Sequence, residues 1–93
     1  MPTIHLIIKG KVQGVFFRAT AKELAQRLNL TGWVKNTEQG DVEATVNGDE
    51  EMLHKFIEWS KKGPPKAHVS EVIITELTDE KFDGFRIKKD TFL

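Results

Sequence analysis

Apolar and polar positions along this chain follow two rhythms, and the switches between them mark its elements. Residues 3–9, with Ile4, Leu6, Ile7 and Ile8, are apolar enough for a central strand covered on at least one face. Gly10 to Arg18 breaks that pattern and reads as a loop. From Ala19 the period lengthens. Ala21, Leu24, Ala25 and Leu28 fall at i, i+3, i+4 and i+7, while Lys22, Glu23, Gln26 and Arg27 face away, which predicts an amphipathic helix ending near Asn29, with Gly32 following. Trp33 to Asn36 reads as a short second strand. Glu38-Gln39-Gly40-Asp41 supplies a turn in which Gly40 is available for positive φ. Val42, Ala44 and Val46 then alternate with Glu43, Thr45 and Asn47 as a half-buried strand, so the two strands form a hairpin.

Asp49 is placed to cap a second helix, with Glu50 and Glu51 in its first turn and Lys61 and Lys62 in its last, charges that suit the helix dipole. Leu53, Phe56, Ile57 and Ser60 supply its buried stripe, and Gly63 with Pro64-Pro65 terminates it. Val69 to Leu77 is a strand rich in Val and Ile, and Phe85-Arg86-Ile87 reads as a short final one. The order β-α-β-β-α-β predicts an α+β fold, the ferredoxin-like two-layer sandwich with two helices on one face of an antiparallel sheet. No linker or repeat interrupts it, so residues 1–93 are expected to form a single domain. That architecture serves many unrelated activities, and function has to be argued from a site.

Composition narrows the field. The 93 residues carry 14 Lys plus Arg against 14 Asp plus Glu, a formal net charge of zero, which disfavours nucleic acid and anionic membranes as partners. Cysteine is absent, so disulfides, thiolate catalysis and Cys-based metal sites are excluded. At 39% apolar and 30% charged, the chain has the composition of a soluble globular protein stabilised by its core. No apolar run approaches the roughly 20 residues of a membrane span, and the start is too short and too soon interrupted for a signal peptide, so the expected location is cytoplasmic.

The segment with chemical content is Gly10-Lys11-Val12-Gln13-Gly14-Val15-Phe16-Phe17-Arg18. A loop between a strand and a helix points main-chain N–H groups inward, and the helix start adds partial positive charge. Gly14 permits a tight turn that makes a concave nest of donors. Arg18 at the helix start carries a planar fork that fits two phosphate oxygens at once. The spacing matches neither common nucleotide loop. On these residues alone an anion site stands beside a plain alternative, in which Gly14 serves a turn, Val12, Val15 and Phe17 pack, and Arg18 is a surface charge.

The wider string is more specific. G-x-V-Q-G-V-x-F-R at Gly10 to Arg18 and G-W-V-x-N-x-x-x-G-x-V-E-A at Gly32 to Ala44 resemble the signature pair of the acylphosphatase family. G-P-P-x-A-x-V at Gly63 to Val69 and Phe85-Arg86-Ile87 resemble further family segments, in order and over nearly the whole chain. One departure is His68, where many members carry arginine. The resemblance implies hydrolysis of an acyl phosphate to a carboxylate and inorganic phosphate, with no metal or organic cofactor. It further implies that Arg18 binds the phosphate together with the loop from Gln13 through Gly14, Val15, Phe16 and Phe17 to Arg18, and that Asn36 orients the attacking water. Taken alone, Asn36 also reads as a turn-proximal asparagine satisfying its own backbone.

Two other readings stay in view. One is a carbamoyl-phosphate-handling domain of the kind fused to larger maturation enzymes, which a stand-alone 93 residues argues against. The other is a non-catalytic module that binds an anion or RNA, disfavoured by zero net charge and by the lack of an RNA-binding aromatic motif around Phe16 and Phe17. His5, His54 and His68 are scattered without metal-ligand spacing, and His54 is expected on the exposed side of its helix. Trp33 and Trp59 read as packing residues. The expected partner is a small acyl phosphate, and the simplest state is a monomer.

Overall fold

A computed structural model describes residues 1–90. Its elements are β1 (Thr3–Lys11), α1 (Phe17–Arg27), β2 (Thr31–Asn36), β3 (Val42–Asn47), α2 (Glu50–Ser60), β4 (His68–Leu77) and β5 (Phe85–Ile87). The strands form one sheet in the order β4-β1-β3-β2-β5. Neighbours run antiparallel except the last pair: β5 lies parallel to β2, with Gly32 opposite Phe85 and Val34 opposite Ile87. This is the expected βαββαβ sandwich, with a short strand added at the β2 edge. No helix among the described residues is long and apolar enough to cross a membrane.

The period-two pattern sets the core. Ile4, Leu6 and Ile8 of β1 point to the same face as Val34 of β2 and Val42, Ala44 and Val46 of β3, and all are buried. Ala21 and Ala25 of α1 and Leu53 and Phe56 of α2 close over them. Each fully buried aliphatic or aromatic side chain here contributes about 1.5–3 kcal/mol relative to exposure. Trp59 packs as expected, its ring 5.0 Å from that of Phe17 and 6.1 Å from that of Phe56. The opposite sheet face carries no helix among the described residues and mixes Ile7, Ile73 and Trp33 with polar pairs: Lys9 to Asp41 at 2.9 Å, His5 to Glu43 at 2.7 Å, and Lys88 4.0 Å over the Trp33 ring.

Several local expectations shift. β1 continues to Lys11 through an irregularity at Lys9/Gly10, and α1 starts at Phe17 instead of Ala19, because the Phe17 ring is driven into the core. The turn after α1 is made by Asn29 at φ 57, an αL position that asparagine tolerates. Gly32 lies inside β2. Thr45, expected on the solvated side of β3, is buried because His5 and Trp33 flank it on the adjacent strands. Lys61 and Lys62 fall beyond α2, whose end is fixed by the Gly63 N–H donating to the Trp59 carbonyl at 2.7 Å. The Lys61 ammonium, hydrogen-bonded at 3.1 Å to Glu58, holds that exposed carboxyl below its ordinary range. Asp49 caps α2 and His54 is exposed, both as expected.

Gly32 meets a constraint that no other residue satisfies. Its φ is 139, and a Cβ there would run into the Thr45 carbonyl of the neighbouring strand. Gly32→Ala therefore destabilises the protein by at least about 2 kcal/mol, read as a lowered urea midpoint.

Candidate active site

Residues 12–16 carry the chain from β1 into α1, and their side chains divide by destination. Val12 and Val15 are buried and, with Phe17, hold the segment down on the core. Gly14 bends it at φ 74 with open space where a Cβ would stand. Gln13 turns its carboxamide across the molecule, where Nε2 donates to the carbonyl oxygens of Thr37 at 2.9 Å and Asp41 at 2.8 Å. Phe16 adopts the left-handed conformation at φ 66 and projects outward, 78% exposed.

The amide N–H groups from Gln13 to Arg18 find no hydrogen-bond acceptor among the described residues. The two helix starts differ in the same sense. α2 is capped by Asp49, whose carboxylate accepts from the Glu51 N–H at 2.9 Å, and Glu50 and Glu51 lie in its first turn. α1 has neither a side-chain cap nor an acid in its first turn. The partial positive charge at its start is left for an outside anion. Arg18, the second residue of α1, adds a full charge. Its Nη1 lies 3.6 Å from Asp90 Oδ1, an ion pair too long for a hydrogen bond and partly exposed on both sides.

Asn36 ends β2, opposite Val42. It is only 8% exposed, and its Oδ1 is buried with no hydrogen-bond partner among the described residues. An orphaned buried acceptor costs about 1–3 kcal/mol, so its position calls for an explanation beyond packing. The plain alternative, an asparagine satisfying its own backbone, finds no such bond. The turn just beyond is closed without it: the Thr37 N–H donates to the Asp41 carbonyl at 2.9 Å and the Gly40 N–H to the Thr37 carbonyl at 3.2 Å.

Arg18 and Asn36 line one cleft of about 350 Å³, together with Gly14, Phe16, Ala19 and Ile87. Of the residues singled out from sequence, Gly14, Phe16, Phe17, Arg18 and Asn36 border this cleft; Gln13 and Val15 do not, and could reach a ligand there only through the main chain. Ile87 and Asp90 were missed. Both come from the segment that β5 brings beside β2, and a parallel pairing of three residues leaves no periodic signal to read. No three His, Asp or Glu side chains among the described residues are grouped as a metal site would require.

The Gln13 carboxamide makes two hydrogen bonds at once between the loop and the β2–β3 turn. Gln13→Ala is expected to lower stability by about 1–3 kcal/mol in urea unfolding, and Gln13→Glu, which sets a carboxylate against two carbonyl oxygens, by more.

The chain as a whole matches a known family. The acylphosphatase family model covers residues 4–87. An acylphosphatase of Thiobacillus denitrificans is 44% identical over 90 residues, spanning 97% of this chain and 100% of its own. The solved acylphosphatase of Coxiella burnetii superposes with a TM-score of 0.90 at 44% identity, over 94% of this chain and 92% of its own. That of Bacillus subtilis gives a TM-score of 0.92 at 37% identity, over 96% and 100%. Apart from Thr3 at the start of β1, the matched span holds all the strands and both helices, and with them Arg18, Asn36 and the loop between β1 and α1. The chain belongs to the acylphosphatase family and is an enzyme that hydrolyses acyl phosphates.

Proposed function

We propose that hydrolysis takes place in the cleft between the start of α1 and the end of β2, with no metal ion. Arg18 and the amides from Gln13 to Arg18 hold the phosphate, and Asn36 orients the attacking water. The observation that carries this reading is the buried Asn36 Oδ1, without a hydrogen-bond partner among the described residues, on the cleft that Arg18 lines. A carboxamide accepts and donates, so it fixes a water without adding charge beside an anion, where a carboxylate would repel the substrate.

The water oxygen forms a bond to phosphorus as the bond between phosphorus and the acyl oxygen breaks. The carboxylate departs with the electron pair, and the water's proton passes to a phosphate oxygen. A weakly basic leaving group needs no acid to assist it, so positioning and charge stabilisation carry the rate. In a loose transition state negative charge spreads over the equatorial oxygens, within reach of the guanidinium and the amides. Two charge-assisted hydrogen bonds from Arg18 contribute about 3–6 kcal/mol before desolvation is subtracted. In the same reading the chain is a single domain acting as a cytoplasmic monomer, its partners the acyl phosphate and inorganic phosphate, with no nucleic acid or membrane.

The direct test is spectrophotometric turnover of benzoyl phosphate with chelator present. Rates well above spontaneous hydrolysis are expected, and a rate abolished by chelator would overturn the metal-free reading. Arg18→Lys keeps the charge but loses the fork, and kcat/KM falls by at least about 10²-fold. Asn36→Ala lowers kcat by about 10²-fold while competitive inhibition by inorganic phosphate persists. Equal loss of phosphate binding in folded Asn36→Ala would mean that the two roles are misassigned.

A further inference from the structure

Asn47 and Gly48 form the chain's single Asn-Gly pair, at the end of β3. Such a pair is chemically weak, because glycine has no Cβ to shield its nitrogen from the neighbouring carboxamide. The fold nonetheless needs both residues. Gly48 is buried, and a Cβ there would run into the Leu30 side chain. The Asn47 carboxamide is the seam between β3 and the first residues of the chain. Its Nδ2 donates to the Thr3 hydroxyl at 2.8 Å, the Met1 carbonyl at 3.0 Å and the Pro2 carbonyl at 3.2 Å.

The same residues keep the pair from reacting with itself. The Gly48 N–H is occupied, donating to the Pro2 carbonyl at 3.2 Å. Asn47 is paired with Thr3 on one side and Thr31 on the other, so its backbone is extended. A ring between the Gly48 nitrogen and the Asn47 Cγ cannot close until that backbone turns. Thr3 in turn is buried at 1% exposure and accepts from the Glu80 N–H at 3.0 Å, which closes the seam from outside.

We propose that Asn47–Gly48 is a site of spontaneous deamidation, and that Met1, Pro2 and Thr3 form a strap that holds it unreacted while closed. Opening the strap is a local event that needs no global unfolding. The Gly48 nitrogen then gives its proton to solvent as it bonds to the Asn47 Cγ, and the side-chain nitrogen takes up a proton and departs as ammonia. Water opens the resulting five-membered imide at either carbonyl, leaving aspartate or isoaspartate. Neither product can re-form the seam. Aspartate sets a carboxylate against the Met1 and Pro2 carbonyl oxygens, where a donor stood. Isoaspartate adds a carbon to the backbone and breaks the register with Thr3. The change is one-way and weakens the fold, whereas the cleft of Arg18 and Asn36, which neither residue lines, keeps its groups.

The test follows the unaltered protein near neutral pH, folded and in guanidinium chloride, by mass spectrometry of its proteolytic peptides. Conversion of Asn47 from carboxamide to acid is expected to be at least about tenfold slower in the folded protein. In denaturant Asn47 converts ahead of Asn29 and Asn36, whose following residues, Leu30 and Thr37, carry branched side chains. Thr3→Val keeps the shape of the side chain and removes one acceptor, so conversion in the folded state rises about fivefold. Equal rates in the folded and unfolded protein overturn the strap, and so does a folded Thr3→Val protein that converts no faster. Should Thr3→Val fail to fold, the comparison within the unaltered protein still decides. Asn47→Asp reproduces one product directly: its urea midpoint falls while kcat/KM for benzoyl phosphate stays within about twofold. An Asn47→Asp protein as stable as the unaltered one, or folded but inactive, overturns the proposed consequence. No faster conversion at Asn47 than at Asn29 or Asn36 in denaturant overturns the site itself.

Discussion

Two hydrogen bonds from one carboxamide hold the site in shape. Gln13 leaves the loop that precedes α1 and donates to the Thr37 and Asp41 carbonyls in the β2–β3 turn. One end of that bridge lies in the segment that leads to Arg18, the other in the residue after Asn36. Without it, the guanidinium and the carboxamide would depend for their alignment on separate elements whose ends fray independently. With it, the β1–α1 loop is tied directly to the turn that follows β2, the kind of support a reaction governed by positioning requires.

Charge is distributed with the same economy. Lysines and arginines balance aspartates and glutamates over the whole chain, yet the two helix starts are opposites: α2 is capped and acidic, α1 uncapped and followed by Arg18. A single phosphate responds to its nearest donors and to the helix end beside it, and global neutrality does not speak against such a site. The neutrality bears on extended polyanions and is silent about a small anion.

Much of this was legible beforehand, for identifiable reasons. The β1 and β3 alternations and the helical stripes carry long repeated signals, and the Asp49 cap and the Gly63 stop are local chemistry. The union of Arg18 with Asn36 in one cleft was legible only through the paired motifs, since nothing local to either residue says where the other goes. Other features depend on neighbours distant in sequence. Thr45 is buried by residues on adjacent strands. Phe85-Arg86-Ile87 was legible as a short strand, but three residues carry no sign of a parallel pairing with β2, and so the arrival of Ile87 and Asp90 beside the cleft was hidden. Phe16 is the instructive case: the loop's packing residues were readable as Val12, Val15 and Phe17, but that the chain turns Phe16 outward through a left-handed backbone at φ 66 has no signal in its apolar surroundings.

The Arg18–Asp90 contact also bears on how the cleft fills. Because the guanidinium already faces a carboxylate 3.6 Å away, an arriving phosphate exchanges one anion for another and does not meet a bare cation. Ionic strength weakens the resting pair and the occupied one together. Their difference, which sets occupancy, therefore varies less with salt than either pairing does by itself.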